Sequence, residues 1–240
     1  MNHPRSTALE YHEQLAATWT SRTHTGGLAR RLAFVQNKIL PSAPAGSWLD
    51  VGCGSGVYSR ILAAAGCQVL GIDGSPAMIE EASKLSAQSL NELNAVNYLQ
   101  VTLNEGLPFP DNLFDGCICF SVLEYLPNPS LTIRELARVV RPGGQILLSI
   151  PNRCSAIRAA LRIRRLLPRA PESARFLDYS RFSASRSAAK EMCQTAGLRV
   201  RRLDLFDPYI PNQLHPLIPP SLIFLVATKA LPTAGGIHAI

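Results

Sequence analysis

The sequence predicts an α/β fold: a doubly wound, seven-stranded sheet that is mostly parallel, has an antiparallel last strand and carries helices on both faces. Short, almost entirely apolar runs alternate with helical stretches along the chain, as expected for parallel strands that are covered on both faces. A glycine-rich turn follows the first apolar run, and an aspartate ends the second. Together these features predict a ligand site at the carboxyl ends of the first two strands.

The apolar runs define seven strands, predicted at 48–51, 68–72, 96–101, 116–122, 145–150, 198–205 and 222–228. Two helices precede them, at 9–21 and 28–40, and Pro41 ends the second.

Sequence signals also mark the ends of later helices. Ser75 is a typical N-cap with Pro76 in the first helical position, and this helix extends to about residue 88. A helix that begins at Asn128 is stopped by Pro142-Gly143-Gly144, and a further helix is predicted at 184–196.

Composition indicates a globular protein, because 47% of the 240 residues are hydrophobic and 17% are charged. No apolar run approaches the roughly 18 residues that span a bilayer, and the first ten residues lack the apolar core of a signal peptide. The six cysteines form no CxxC pair and no Cys/His pattern with zinc-ligand spacing. We therefore expect a reduced, cytoplasmic protein without a metal, whose net charge of +7 could reflect an anionic partner.

The turn at 52–56 joins a predicted strand to a predicted helix. Glycines there permit positive φ and let a ligand lie against the main chain, and the helix presents free N–H groups to that ligand. Asp73 ends the next strand, where its carboxylate can accept hydrogen bonds from both hydroxyls of a ribose. An ordinary tight turn is the alternative, but Asp73 favours a nucleoside-containing ligand.

The spacing within the turn distinguishes two nucleoside cofactors. A nicotinamide fingerprint would place Val57 at its third small position, which is a poor match. The sequence DVGCGSG at 50–56 instead resembles motif I of the class I S-adenosylmethionine (SAM)-dependent methyltransferases. Three later segments are similar to that family in the same order: LPFPDNLFD at 107–115, SVLEYL at 121–126 and LARVVRPGG at 136–144.

The resemblance is nearest to the small-molecule branch that includes ubiquinone-type methyltransferases. It implies a Rossmann-like sheet, SAM as cofactor and S-adenosylhomocysteine (SAH) as product. The turn and Asp50 would hold the methionine portion, Asp73 the ribose, and the loop after the third strand the adenine. The implied cofactor-binding residues are Asp50, Gly52, Cys53, Gly54, Ser55, Gly56, Asp73, Gly74, Asn104, Glu105, Gly106, Phe120, Ser121 and Arg30, with Arg31 as an alternative to Arg30.

Two positions depart from the family pattern. Leu103 stands where an aspartate often pairs with the adenine amino group, so Asn104 or a backbone amide must make that contact. Tyr125 stands where histidine is common.

Methyl transfer from a sulfonium needs no strong base, because holding donor and acceptor in line can lower the barrier by about 7–11 kcal/mol in favourable cases. A base helps when the acceptor is a phenol, a hydroxyl or an ammonium. The candidate catalytic residues are Glu124, Tyr125 and His12. The alternatives are a structural carboxylate for Glu124, a pocket-lining role for Tyr125, and a packing or surface role for His12, on a helix that folds over the cofactor as a lid.

Residues 153–186 contain nine arginines but only two acidic residues, Glu172 and Asp178. Arg158, Arg162, Arg165 and Arg169 recur at helical spacing, which predicts a basic amphipathic helix. It could be the solvated face of a substrate lid, a peripheral contact of residues 157–169 with an anionic membrane, or a nucleic-acid site. Nucleic acid is disfavoured because no aromatic residues alternate with these arginines.

These observations predict five parts: a helical cap at 1–44, a SAM-binding core at 45–152, a basic helical lid at 153–186, the C-terminal part of the core at 187–230 and a flexible tail at 231–240. The predicted function is methyl transfer from SAM to a small or amphiphilic acceptor, with oxygen as a candidate methylated atom. An RNA-modifying methyltransferase and a non-catalytic SAM-binding partner subunit are the alternatives.

Overall fold

The computed structural model describes residues 7–89, 96–103, 106–165 and 172–231. Its strands are β1 (Ser47–Val51), β2 (Gln68–Asp73), β3 (Val96–Gln100), β4 (Phe114–Cys119), β5 (Val140–Pro151), β6 (Leu198–Phe206) and β7 (Leu222–Lys229). They form one sheet in the order β3-β2-β1-β4-β5-β7-β6. The first five strands are parallel, and β7 is antiparallel to both β5 and β6. The predicted fold class is confirmed.

Two helices precede β1, one helix lies between β1 and β2, between β2 and β3 and between β4 and β5, and two lie between β5 and β6. They are α1 (Ala8–Thr23), α2 (Gly26–Phe34), α3 (Val57–Ala64), α4 (Pro76–Ser89), α5 (Pro129–Val139), α6 (Ala156–Arg165) and α7 (Arg186–Thr195). Side-chain caps explain where three of them begin, because Ser75, Asn128 and Ser185 each accept a hydrogen bond from a backbone N–H three residues later. The predicted starts at Ser75 and Asn128 are therefore confirmed.

Apolar residues cover both faces of the sheet. On one face, Ile133 and Leu136 of α5 and Cys193 of α7 are completely buried together with Cys117 and Cys119 of β4. On the other face, a second buried cluster joins α3 and residues 35–40 to the sheet, around Trp48, Leu62, Ile118 and Phe224. The alternation of β4 side chains between these clusters is the period-2 pattern of a buried strand. Cys117 and Cys119 are small core residues.

Two predicted boundaries near the site are wrong. β4 ends at Cys119 rather than at residue 122, because Ser121 adopts a left-handed conformation (φ 54°) that a strand cannot contain. The Pro142-Gly143-Gly144 sequence does not stop α5, which ends at Val139. The chain becomes extended at Val140 (φ −84°, ψ 137°), and these three residues lie inside β5.

The helix predicted at 28–40 is also only partly correct. After α2 the chain forms a π-helical turn at Val35–Ile39 and then a 3₁₀ turn at Leu40–Ser42. Arg169 and the predicted tail beyond residue 231 lie outside the described residues.

Candidate active site

The turn at 52–56 connects β1 to α3 at the carboxyl edge of the sheet. Its three glycines all have positive φ, between 53° and 73°, a conformation that favours glycine. The N–H of Gly52 donates to the Ile72 carbonyl over 2.8 Å, which joins the turn to the end of β2. A Cβ on Gly56 would overlap the ring of Tyr98. The turn therefore depends on its glycines for both conformation and space.

Asp73 ends β2 beside this turn. Its Oδ2 accepts the N–H of Gly54 and its Oδ1 accepts the N–H of Ser75, each over 2.9 Å. Burial raises the pKa of Asp73, and these backbone hydrogen bonds oppose that shift. Because each carboxylate oxygen has two lone pairs, a carboxylate oriented in this way can still accept two hydroxyl groups.

Asp50 lies in β1, directly before the turn, and is 2% exposed. Ser59 of α3 donates its hydroxyl to Asp50 Oδ2 over 2.5 Å. Burial raises the pKa of Asp50 to about 7, although the Ser59 hydrogen bond lowers it. Near neutral pH this carboxyl can therefore be neutral in the free protein and ionised when a cation approaches it.

Helix α1 lies over the glycine turn. A Cβ placed on Gly54 would be 3.2 Å from Nε1 of Trp19, and Thr20 donates its hydroxyl to Ser55 Oγ over 2.8 Å. The helix thus covers the surface on which a ligand of the turn would lie.

His12 projects from α1 into a group of aromatic side chains. Its ring centroid is 4.9 Å from that of Tyr125 and 5.5 Å from that of Trp19. Its Nδ1 is 2.7 Å from the Ala8 carbonyl oxygen. A carbonyl can only accept a hydrogen bond, so Nδ1 carries the proton and Nε2 of the neutral ring keeps its lone pair. Burial lowers the pKa of His12, and the Ala8 carbonyl and Asp73 partly oppose that shift.

A charged cluster lies next to Tyr125 and consists of the half-buried Arg31 and the buried Glu124 and Arg158. Glu124 is 3% exposed, and burial raises the pKa of its carboxyl, while both guanidiniums favour its ionised form. Arg31 donates to Ser121 Oγ over 2.6 Å. Within the described part of the chain, Glu124 Oε2 and Arg31 Nε are buried without a hydrogen-bond partner. Both atoms therefore lack the hydrogen bond that a buried polar atom normally makes.

Most of the residues implicated by the sequence lie at this edge of the sheet. Asp50, the turn at 52–56, Asp73 and Ser121 all occupy strand ends or the loops after them, and Leu9 of α1 covers Gly74. His12, Glu124 and Tyr125, the three catalytic candidates, belong to one neighbourhood. Gly106 lies on the loop before β4, where Leu107 N–H donates to Glu135. Asn104 and Glu105 lie outside the described residues.

Two implicated side chains point elsewhere. Arg30 is exposed and donates to the Pro208 carbonyl over 2.7 Å, so Arg31, and not Arg30, is the arginine directed at Ser121. The ring of Phe120 packs in the core, 5.2 Å from that of Tyr58, so only its backbone is available to line the site.

The interpretation of α6 as a solvated arginine face needs correction. Arg158 is 7% exposed and points into the protein, Arg165 forms an ion pair with Asp178, and the apolar Ile163 is 65% exposed. The described part of the helix covers Ala156–Arg165, and Arg169 of the predicted row of arginines lies outside the described residues. Sequence reasoning missed the inward direction of Arg158, because its spacing is the same as that of the exposed Arg162.

The described residues contain no group of three or more His, Cys, Asp or Glu side chains arranged to hold a metal ion. In the same residues, no helix combines the length and the apolar character that crossing a membrane requires.

The sheet order, the glycine turn after β1 and the carboxylate after β2 define a Rossmann-like domain of the kind that binds a nucleoside cofactor.

Residues 49–148 match the family described as a methyltransferase domain. The chain is 37% identical over 160 residues to a ubiquinone biosynthesis O-methyltransferase of Pseudomonas paraeruginosa, with 62% of this chain and 66% of that protein covered.

A protein of the same name from Hahella chejuensis is 32% identical over 175 residues, and the match covers 70% of this chain and 71% of that protein. Among solved structures, magnesium protoporphyrin IX methyltransferase from Synechocystis PCC 6803 with bound SAH shares the fold. Its TM-score is 0.62 at 18% identity, and 95% of this chain and 90% of that one are covered. The chain belongs to the class I SAM-dependent methyltransferase family, in its small-molecule branch.

Proposed function

We propose that the protein transfers a methyl group from SAM to a hydroxyl oxygen of a small aromatic acceptor. Membership of the SAM-dependent family supports the cofactor, and two relatives named ubiquinone biosynthesis O-methyltransferase support oxygen as the methylated atom. The matches cover about two thirds of the length of the Pseudomonas relative. The aromatic side chains around His12 are a suitable surface for an aromatic acceptor.

The residues at the strand ends fit the parts of SAM. Asp73 would accept the ribose hydroxyls, and Asp50 would hold the ammonium group from below the turn. Arg31, which has a buried and unpartnered Nε, would bind the carboxylate. The loop that contains Gly106 would border the adenine. When bound, SAM supplies a methyl group on a sulfonium, which is already a good leaving group.

His12 would act as the general base that removes the acceptor's hydroxyl proton. The observation that carries this proposal is the 2.7 Å contact from His12 Nδ1 to the Ala8 carbonyl, because it leaves Nε2 able to accept a proton. Burial lowers the pKa of His12 below its ordinary 6.5, so the ring is neutral at physiological pH. Tyr125 is a weaker candidate, since burial raises the pKa of its hydroxyl, and it would line the acceptor site instead.

We also propose that α1 and α2 form a cap over the cofactor and that residues 153–186 contribute a wall of the acceptor site. The contacts of Trp19 and Thr20 with the glycine turn support the first part. The inward direction of Arg158 supports the second.

The test is a methyl-transfer assay with SAM and a panel of phenols and catechols, followed by mass spectrometry of SAH and of the methyl ether. Methyl ethers are expected with the unmodified protein. His12→Asn keeps a donor for the Ala8 carbonyl but has no second ring nitrogen, so kcat should fall about 100- to 10,000-fold with SAM affinity unchanged. The matched control is His24→Asn at the exposed end of α1, which should retain full activity.

The pH profile gives a second readout. Activity of the unmodified protein should fall in the acid range as His12 becomes protonated, and this decline should be absent from the residual activity of His12→Asn. Methylation of an RNA substrate but of no phenol would contradict the proposal, and so would a His12→Asn variant with unchanged kcat.

A further inference from the structure

Tyr98 of β3 fills the space that two glycines leave beside the site. It is paired in register with Gly71 of β2, so the two residues lie on the same face of the sheet. A Cβ on Gly71 would be 2.7 Å from Cδ1 of the Tyr98 ring, and a Cβ on Gly56 would be 2.2 Å from its Oη. The ring therefore extends from Gly71 to Gly56, the last residue of the glycine turn, and packs against the bare backbone of both.

The hydroxyl of Tyr98 is held by helix α4. Its oxygen lies 2.9 Å from Oγ of Ser86, within hydrogen-bond distance, and Ser86 is buried. Burial raises the pKa of the Tyr98 hydroxyl, so the hydroxyl is protonated at neutral pH. A tyrosine side chain has only two rotatable bonds, and here both its ring and its hydroxyl are held. Tyr98 is thus a rigid support between α4 and the glycine turn.

This support lies in the same row of the sheet as Asp50. Asp50 of β1 is paired with Gly71, and Gly71 is paired with Tyr98, so the three residues occupy neighbouring positions on one face. Cys53 Sγ is also near Gly71, 3.1 Å from the position that a Cβ there would take. The Tyr98 ring and the Cys53 sulfur therefore close the layer beneath the turn, next to the carboxyl that would hold the ammonium group of SAM.

The glycine turn needs a support because its own backbone is weakly restrained. Glycine adopts positive and negative φ about equally readily, and all three glycines of the turn have positive φ. At the start of the turn, the N–H groups of Gly52 and Cys53 donate to the Ile72 carbonyl. At its end, Gly56 is next to the Tyr98 ring. Without the ring, this end of the turn could adopt other conformations, and SAM binding would have to order it.

We propose that Tyr98 is a positioning residue for SAM: its ring holds the glycine turn in the conformation that receives the methionine portion of the cofactor. This inference rests on the proposed function, because it concerns the cofactor of that site. Tyr98 acts through the turn. It should therefore affect the affinity for the amino-acid end of the cofactor and not the affinity for the adenosine, which Asp73 would bind.

The test compares two ligands by calorimetry: SAH, and 5′-methylthioadenosine, which keeps the adenosine and the sulfur but lacks the amino-acid end. Tyr98→Val removes the ring and keeps a side chain that strands favour. It should weaken SAH about tenfold, since ordering one loosened backbone residue costs this much in affinity, and it should leave 5′-methylthioadenosine almost unchanged. Tyr98→Phe keeps the ring and should retain most of the affinity for SAH.

The matched control is Leu99→Ala, at the next residue of β3. Leu99 is 46% exposed and, as a neighbour in a strand, lies on the opposite face from Tyr98. This variant should bind both ligands normally.

Gly71→Ala gives a second test that retains the ring. The new Cβ would displace the ring, so SAH should bind more weakly while 5′-methylthioadenosine does not. In the Tyr98→Val background the same substitution should lose most of its effect. The single variant decides the matter if Tyr98→Val fails to fold.

Four results would each overturn the proposal: a proportional loss of both ligands in Tyr98→Val, undiminished SAH affinity in Tyr98→Val or Gly71→Ala, an equal effect of Gly71→Ala with and without the ring, or no binding of 5′-methylthioadenosine to the unmodified protein. If the unmodified protein binds SAH, these results leave the proposed function intact. Absence of both SAM and SAH binding in the unmodified protein contradicts the proposed function itself.

Discussion

At the scale of single residues, two carboxyls near the glycine turn have different environments and therefore different tasks. Asp73 has backbone N–H donors on both oxygens, which orient it for hydroxyl groups. Asp50 is almost fully buried and has one serine hydroxyl on Oδ2. Its pKa of about 7 means that an arriving ammonium would displace a proton from part of the population near neutral pH.

We expect Asp50 to make the affinity for SAM depend on pH. A bound cation favours the ionised carboxyl, so binding releases a proton below the pKa, and affinity should rise as the pH increases from 5.5 and level off near 7. Calorimetry over this range should show up to about a tenfold change per pH unit at the acid end. Asp50→Asn should bind SAM more weakly and with a much flatter profile. A flat profile in the unmodified protein would contradict this role.

Residue type and order predict where most of the candidate site residues lie. Gly52 and Gly54 are predictable because the backbone has positive φ there, and Ser75 because it caps α4. Asp73 is the last residue of β2, as the sequence predicts. The direction in which a long side chain points could not be predicted from the sequence in this way. Arg30 and Arg31 are neighbours in sequence, and only the packing of α2 turns one toward Pro208 and the other toward Ser121.

At the scale of elements, α1 is the helix on which the site most depends. It supplies His12, places Trp19 beside Gly54 and bonds to Ser55 through Thr20. A capping box starts it: Thr7 accepts the N–H of Glu10, and the Glu10 carboxylate accepts the N–H of Thr7.

Thr7→Ala should loosen α1. Loss of a threonine cap costs about 1 kcal/mol, which corresponds to roughly fivefold faster local opening. Hydrogen exchange of the first turns of α1 should accelerate by that factor, and SAM should bind slightly more weakly. Thr18→Ala, at an exposed position inside the helix, is the control and should not accelerate exchange. Unchanged exchange in Thr7→Ala would show that the cap does not stabilise the helix.

Element boundaries near the site were less predictable than element order. The strand predicted at 116–122 is cut short by the left-handed Ser121, whose N–H donates to Ser149 of β5. That hydrogen bond joins the loop after β4 to a residue of β5 that lies 28 positions further along the chain, so no local pattern reports it. The spacing of the arginines in α6 similarly predicted a helix. It did not reveal that the buried residue of this helix is Arg158 and that its apolar residues are not buried.

At the scale of the whole molecule, the two apolar clusters on the sheet leave little access to the cysteines. Cys53, Cys67, Cys117, Cys119 and Cys193 are buried, Cys154 is exposed, and all six are free. The native protein should therefore show one thiol that reacts rapidly with Ellman's reagent, and six after denaturation. Cys154→Ser should lose the rapid reaction. Several rapidly reacting thiols in the native protein would be incompatible with this packing.

The central claim is that SAM is held across the ends of β1 and β2 by the glycine turn and Asp73. Calorimetry with SAM and NADH, on the unmodified protein and on Asp73→Ala, tests it most directly. We expect SAM to bind and NADH not to bind, with Asp73→Ala weakening SAM at least about 100-fold through the loss of its charged hydrogen bonds. Asp111→Ala, at a largely exposed carboxylate, should bind SAM normally. Preference for NADH, or undiminished SAM binding in Asp73→Ala, would contradict the claim.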